Sequence, residues 1–92
     1  MFFNTNQVKR AHSGHWFEPK TMRFFKSRVL LRVYGGRYFV TSEKGPNGVR
    51  AYSVREVTED GSDISTVGEF QGWPTEATAK AEATRLASLL PV

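Results

Sequence analysis

Apolar and polar residues follow one another along this chain in spacings that predict two short helices, a run of strands and a longer final helix. Near the start, Asn4 and Gln7 have the spacing of a capping box. Phe3 and Val8 have the spacing of a hydrophobic staple, in which the residue before the cap packs on the first turn of the helix. Together these two signals predict a helix over residues 5–13.

A second short helix is predicted over residues 19–27, because Pro19 is pre-organised for the first turn of a helix. Residues 28–34 are rich in valine and leucine and run into Gly35 and Gly36. They either extend this helix or form a strand. Two adjacent glycines are typical of a tight hairpin, and this favours the strand.

A two-residue turn at 35–36 would pair Val33 with Tyr38 across an antiparallel hairpin. Since successive side chains of a strand point to opposite faces, this register separates an apolar face from a basic, partly aromatic one. The predicted apolar face carries Val29, Leu31, Val33, Tyr38 and Val40, and the other carries Arg28, Leu30, Arg32, Tyr34, Arg37, Phe39, Thr41 and Glu43.

Turn residues predict the remaining elements. Residues 45–48 and 60–62 contain glycine, proline, asparagine and aspartate, and they bound predicted strands over 49–57 and 64–70. A final helix is predicted from a cap at Thr75 to about residue 90. Its buried stripe is predicted to consist of Ala79, Ala83, Leu86 and Leu90.

These elements predict an α+β fold, an antiparallel three- to four-stranded meander with two short N-terminal helices and a longer C-terminal helix packed on one face. The chain contains no internal repeat, linker or low-complexity stretch, so residues 1–92 are interpreted as a single small basic domain. An exposed edge strand of such a sheet permits a homodimer as well as a monomer.

Composition narrows the class of protein. The 92 residues are 39% apolar and 24% charged, which suits one small core and excludes a two-domain enzyme. There is no cysteine, which excludes disulfides, thiolate nucleophiles and cysteine-based zinc sites. No apolar run approaches the roughly 18 residues that a membrane span requires. We therefore expect a cytoplasmic protein with no membrane partner.

The charge is unevenly distributed along the chain. Residues 1–37 contain eight basic residues and one acidic residue, whereas residues 38–92 contain five basic and eight acidic residues. A segregated positive field attracts nucleic acid or an acidic protein surface. The alternative interpretation is a solvated face that keeps the protein soluble.

Catalytic and metal-binding groups are sparse, so we expect neither an enzyme nor a cofactor. His12 and His15 are the two histidines, and neither has an evident serine and acid partner or further metal ligands nearby in the sequence. A group of carboxylates surrounds the last predicted turn between strands and is interpreted as solubilising: Glu56, Glu59, Asp60 and Asp63.

The strongest candidate site is a constellation of basic and aromatic residues. Guanidinium groups bind phosphates and guanine edges, and aromatic rings stack on unpaired bases. The same side chains would also anchor an acidic protein groove. The candidate binding residues are Arg23, Lys26, Arg28, Arg32, Tyr34, Arg37 and Phe39.

Four further aromatics, Trp16, Phe17, Phe24 and Phe25, crowd one short segment and are interpreted mainly as core. Phe24 and Phe25 are adjacent on a predicted helix and therefore point about 100° apart. Burying both would require a deep groove. One of the two is thus a candidate stacking or partner-binding aromatic.

Two segments, TMRFFKSR at 21–28 and VYGGRYFVTSEK at 33–44, resemble an uncharacterised family of short bacteriophage proteins, chiefly from phages of actinobacteria. In that family F-x-P-x-T-M-R-F-F-x-S-R precedes a Y-G-G-x-Y-F-V-T-S-E hairpin. The first pattern is matched by Phe17, Pro19, Thr21, Met22, Arg23, Phe24, Phe25, Ser27 and Arg28, and the second by Tyr34, Gly35, Gly36, Tyr38, Phe39, Val40, Thr41, Ser42 and Glu43. The resemblance implies a phage origin and no particular activity.

The order of strands followed by a helix is also similar to the arm-type DNA-binding domains of phage integrases and to AP2-like sheets, which insert a sheet into the major groove. The resulting hypothesis is a non-enzymatic phage module that binds nucleic acid, DNA rather than RNA, in the cytoplasm of the host bacterium. The alternative is a small phage effector that binds and modulates an acidic host protein of defence or gene expression.

Overall fold

A computed structural model describes residues 2–12, 14, 17–24, 26–45 and 47–90 of the chain. In chain order, its elements are α1 (Thr5–Ala11), α2 (Pro19–Phe24), β1 (Arg28–Tyr34), β2 (Tyr38–Lys44), β3 (Arg50–Val57), β4 (Ile64–Val67) and α3 (Glu76–Ser88). The four strands form one sheet in the order β1-β2-β3-β4, and each pair of neighbours is antiparallel. The predicted α+β meander is confirmed, and residues 28–34 are a strand.

One face of the sheet packs against α3. The buried residues of this core are Tyr34, Tyr38, Val40, Val54, Ala79 and Ala83. The two alanines are fully buried, so the helix backbone approaches the strands closely. Leu86 and Leu90 are half-buried against the same core, as the predicted stripe requires. Thr75 is the N-cap and accepts a hydrogen bond from the Thr78 amide, as the sequence predicted.

The opposite face holds a second core built on α1. Val8 is buried there against three sheet residues, Val33, Phe39 and Val57. The chain before α1 runs along the outer edge of β1, where the Val33 amide donates to the Phe3 carbonyl over 3.3 Å. Helices therefore lie on both faces of the sheet, and the chain before α1 covers the edge of β1 at Arg32 and Val33.

The β1–β2 turn differs from the prediction by one residue. It contains Gly35, Gly36 and Arg37, and it is closed by a hydrogen bond from the Arg37 amide to the Tyr34 carbonyl. Val33 is consequently opposite Phe39, not Tyr38. Because side chains alternate between faces, this single-residue shift exchanges the predicted faces along β2.

Further along β1, the register shifts again between Val29 and Val33. The strand bulges there, and Leu31 is 61% exposed. The prediction that Leu31 lies on the apolar face is therefore wrong.

At the N-terminus the capping box of Asn4 and Gln7 is confirmed, but the predicted staple is wrong. Phe3 is 76% exposed, and Phe2 packs in its place against the core that contains Val8. The helix ends at Ala11, two residues before the predicted end at Ser13, which lies outside the described residues.

The other predicted boundaries differ by a few residues. β3 begins at Arg50, one residue after the predicted start, and β4 ends at Val67, three residues before the predicted end. α2 ends at Phe24, three residues before the prediction. Phe25, one of the four crowded aromatics, lies outside the described residues, as do Trp16 and His15.

Candidate functional site

The two aromatic members of the predicted site lie in the cores. Phe39 is fully buried against α1, and Tyr34 is 8% exposed on the face that packs against α3. They are on opposite faces of the sheet because of the shifted hairpin register. The predicted single face that combines them with the basic residues is therefore wrong, and the ring of Phe39 has no surface on which a base could stack.

Two of the predicted cations are held by other residues. The Arg32 guanidinium lies 4.6 Å from the centre of the Tyr34 ring, in a cation–π contact. Arg37 lies in the β1–β2 turn, where its guanidinium is 3.7 Å from the Glu56 carboxylate. This turn is at one end of the sheet, and Arg28 is at the other.

Four cations gather at the end of the sheet opposite the β1–β2 turn. Arg28 is paired with Ser42, and Lys44 with Arg50, in the strand register. Arg50 donates to the Ser42 hydroxyl over 2.6 Å and to the Lys26 backbone carbonyl over 2.9 Å. We refer to Lys26, Arg28, Lys44 and Arg50 as the cationic end. Arg23, another predicted residue, is exposed on the last turn of α2 nearby in the chain.

An open cleft of about 490 Å³ lies at this same end, between the end of α2 and the chain after β4. We call it the end cleft, and it is lined by Phe24, Lys26, Lys44, Gly45, Gly48, Phe70 and Gln71. Phe24 is 81% exposed and Phe70 is 50% exposed. None of the described lining residues is acidic. The end cleft thus combines two phenylalanines with two lysines.

The rim at Lys26 is shaped by the way α2 ends. The Ser27 amide donates to the Met22 carbonyl, and the Lys26 amide donates to the Arg23 carbonyl. These are the two hydrogen bonds of a Schellman motif, with Lys26 at the left-handed position that glycine usually occupies. Its φ is 48°.

Gln71 forms another part of the rim and also has left-handed backbone, with a φ of 57°. Its amide donates to the Ser53 hydroxyl over 2.8 Å, and its side-chain amide donates to the Glu43 carbonyl over 2.9 Å. Lys26 and Gln71 are the two non-glycine residues with positive φ in the described part of the chain. Such conformations persist where the surrounding structure enforces them, and they are concentrated at functional sites.

A buried ion pair supports the wall that carries Phe70. The Arg55 guanidinium contacts the Glu43 carboxylate at 2.8 Å, and both side chains are more than nine-tenths buried. Thr41 donates to the same carboxylate and accepts from Arg55, so the pair is enclosed by further hydrogen bonds. Arg55 lies 5.2 Å from the centre of the Phe70 ring. The network therefore connects the sheet interior to the wall of the end cleft.

The carboxylates around the β3–β4 turn lie at the other end of the sheet from this cleft, and that of Asp60 is hydrogen-bonded within the turn. Hydrogen bonds from the side chain and backbone of Ser62, and from the Thr58 hydroxyl, lower the pKa of Asp60 to about 2. The neighbouring Gly61 carbonyl accepts a hydrogen bond from Nδ1 of His12 over 2.9 Å. In the described ranges, no group of three or more histidine, aspartate or glutamate residues is arranged to hold a metal ion.

Four residues at the end of the sheet that holds the end cleft are not among the candidates that the sequence predicts: Lys44, Arg50, Phe70 and Gln71. Lys44 and Arg50 flank a turn and are recognisable from the sequence as basic residues at strand ends. The predicted strand over 64–70 makes Phe70 a sheet residue, whereas β4 ends at Val67 and leaves Phe70 in the chain after it. Gln71 has no signal in the sequence, since its left-handed backbone follows from tertiary hydrogen bonds.

None of the three helices in the described part of the chain has both the length and the apolar character needed to cross a membrane. No curated protein and no solved structure matches the chain. A family model, described as a family of unknown function (DUF7447), matches residues 2–84, which is nearly the whole sequence. The protein therefore belongs to the DUF7447 family.

Proposed function

We propose that this protein is a non-enzymatic nucleic-acid-binding module, with DNA as the preferred nucleic acid and RNA as the second candidate. The observation that carries the proposal is the cationic end: Lys26 and Lys44 line the end cleft, and Arg28 and Arg50 lie at the same end of the sheet. Phosphate contacts from lysine and arginine dominate the affinity of proteins for nucleic acid.

The arrangement of charges at this end supports an anionic ligand. Lys26, Arg28 and Lys44 are exposed. Glu43, the acidic residue next to Lys44, is buried and neutralised by Arg55. Glu69, the residue before Phe70, is an exposed acidic residue in the turn beside the cleft wall. The basic groups outnumber it, so the local field is positive.

The proposed contacts differ from those of proteins that insert a sheet into the major groove. In this chain, α3 covers one face of the sheet and α1 covers part of the other. The proposed binding surface is consequently the end of the sheet and not a strand face.

Binding of fluorescent single-stranded DNA, duplex DNA and RNA at roughly 50 and 200 mM salt tests the proposal, since phosphate contacts weaken steeply over this range. The variant Arg28→Ala/Lys44→Ala removes two cations from the cationic end. We expect it to weaken binding by about tenfold or more at the lower salt and to reduce the salt slope by about one to two.

The matched control is Lys9→Ala/Arg10→Ala, which removes one lysine and one arginine from the exposed side of α1. α1 ends beside Gly61, near the opposite end of the sheet from the end cleft. We expect the control to retain nearly the parental affinity. Equal losses in the two variants would show a diffuse charge effect, and no salt-sensitive binding to any of the probes would refute the proposal.

The resemblance in residues 21–28 and 33–44 supports a bacteriophage origin and action in the host cytoplasm, which we include in the proposal. The second candidate function is binding to an acidic host protein. Arg23 and Phe24 favour it, because they are exposed neighbours on α2 and arginine and aromatic residues commonly anchor protein interfaces. Affinity capture from host lysate treated with nuclease, compared with the Arg23→Ala/Phe24→Ala variant, tests this alternative.

A further inference from the structure

We infer that the end cleft stacks an unpaired base between Phe24 and Phe70, and that the protein therefore prefers single-stranded nucleic acid to duplex. This inference rests on the proposed function and specifies its substrate class. Phosphate contacts alone do not separate single strands from duplex, whereas stacking requires a base that has left its pair.

The first observation is the pairing of exposed aromatic rings with cations in one concavity. Phe24 and Phe70 line the same cleft as Lys26 and Lys44. Successive bases stack on aromatic side chains in proteins that bind single strands, while a positive groove follows the backbone. The end cleft contains both parts of that arrangement within about 490 Å³, a volume in the range of small-molecule sites.

The second observation is that the structure fixes the chain on both sides of the cleft. Lys26, two residues after Phe24, is held in left-handed backbone by the end of α2. Gln71, the residue after Phe70, is held in left-handed backbone by hydrogen bonds to Ser53 and Glu43. Two walls fixed in this way lose little conformational freedom when a ligand binds, which favours affinity.

The third observation is the position of Phe70 above Arg55. The Arg55 guanidinium lies over the Phe70 ring, 5.2 Å from its centre, and is itself held by Glu43 at 2.8 Å. Half of the Phe70 residue remains exposed. A ring supported from the protein interior and exposed toward a cleft is suited to stacking, because its orientation is already set when the base arrives.

The test compares three probes of equal length, roughly ten nucleotides: oligothymidylate, the same oligomer with abasic sites, and a DNA duplex. The abasic oligomer keeps the phosphates and lacks the bases. We expect Phe24→Ala and Phe70→Ala each to weaken oligothymidylate binding by about tenfold, the typical loss for one stacked base. Binding of the abasic oligomer and the duplex is expected to stay within about twofold.

Two further variants separate stacking from general apolar contact and from misfolding. Phe24→Tyr keeps an aromatic ring and is expected to retain the affinity, whereas Phe24→Leu is expected to lose it. Phe3→Ala is the matched control, since Phe3 is another exposed phenylalanine and lies beside Val33 on the covered edge of β1. Thermal unfolding of each variant verifies that it is folded.

The outcomes distinguish this inference from the proposed function. Salt-sensitive binding in which the phenylalanine variants lose equal affinity for oligothymidylate and the abasic oligomer would overturn base stacking and leave the nucleic-acid proposal standing. Full competition by polyglutamate at equal charge would overturn base stacking in favour of an acidic protein ligand. Absence of binding to all three probes would overturn both.

Discussion

At the scale of single residues, Lys26 combines a backbone role with a candidate binding role. Its φ of 48° costs energy for a side chain with a Cβ atom, and glycine adopts this conformation without strain. The same residue lines the end cleft. We expect Lys26→Gly to raise the free energy of unfolding by about 1 kcal/mol and to weaken nucleic-acid binding. Urea unfolding and the oligonucleotide binding assay measure the two effects.

The control for this prediction is Lys20→Gly, which places glycine within α2. Glycine at a helical position lowers helix stability by up to about 1 kcal/mol relative to good helix formers. This variant should therefore have a lower free energy of unfolding than the parent. If Lys26→Gly raises the free energy of unfolding and Lys20→Gly lowers it, the result would support the role of Lys26 in the Schellman motif. A loss of stability in Lys26→Gly would contradict it.

At the scale of elements, the β1–β2 turn is fitted against α3. Gly35 has a φ of 61°, and a Cβ atom at this position would be 2.9 Å from the Cβ of Ala87. Gly48 has a φ of 77° but no neighbouring atom within 4 Å of such a Cβ. Both positions therefore disfavour alanine for the same backbone reason, and only Gly35 adds a steric clash with the helix.

We expect Gly48→Ala to lower the free energy of unfolding by about 1 kcal/mol, the usual cost of left-handed backbone. Gly35→Ala should lower the free energy of unfolding by about 1–3 kcal/mol more than Gly48→Ala, because packing against α3 leaves no room for a methyl group. Denaturant unfolding of the two variants measures this difference. Equal losses of stability in the two variants would mean that the end of α3 moves aside for the methyl group at no cost in free energy.

At the scale of the whole molecule, the Arg55–Glu43 pair connects β2 and β3, and Arg55 also donates to Thr66 in β4. Removing one partner of a buried pair leaves the other charge without compensation in a poorly solvated position. We expect Glu43→Ala to lower the free energy of unfolding by about 3–5 kcal/mol, which is a large part of the stability of a small domain.

The control is Glu56→Ala, which breaks the partly exposed contact with Arg37 in the β1–β2 turn. Exposed ion pairs contribute about 0–1 kcal/mol, so this variant should unfold at nearly the parental denaturant concentration. If Glu43→Ala and Glu56→Ala lowered the free energy of unfolding equally, the β-sheet propensity of alanine would explain the loss of stability in Glu43→Ala. Burial of the ion pair would then not be its cause. Thermal and urea unfolding followed by circular dichroism provide the measurement.

The sequence by itself determined the elements, because their signals are local. Asn4 and Thr75 cap helices through hydrogen bonds to residues three positions away, Pro19 begins α2, and paired glycines turn the chain between β1 and β2. Each signal acts over a few residues and survives in isolation from the rest of the fold. The α+β meander followed from their order along the chain.

The tertiary structure alone decided which side chains share a face. Two-residue and three-residue turns both suit Gly35 and Gly36, and packing against α1 and α3 selects the longer one, which buries Phe39. The end cleft likewise joins Phe24 to Phe70, residues that are distant in sequence. Local rules do not encode such contacts, because register and long-range packing are set by the total apolar surface buried on both faces of the sheet.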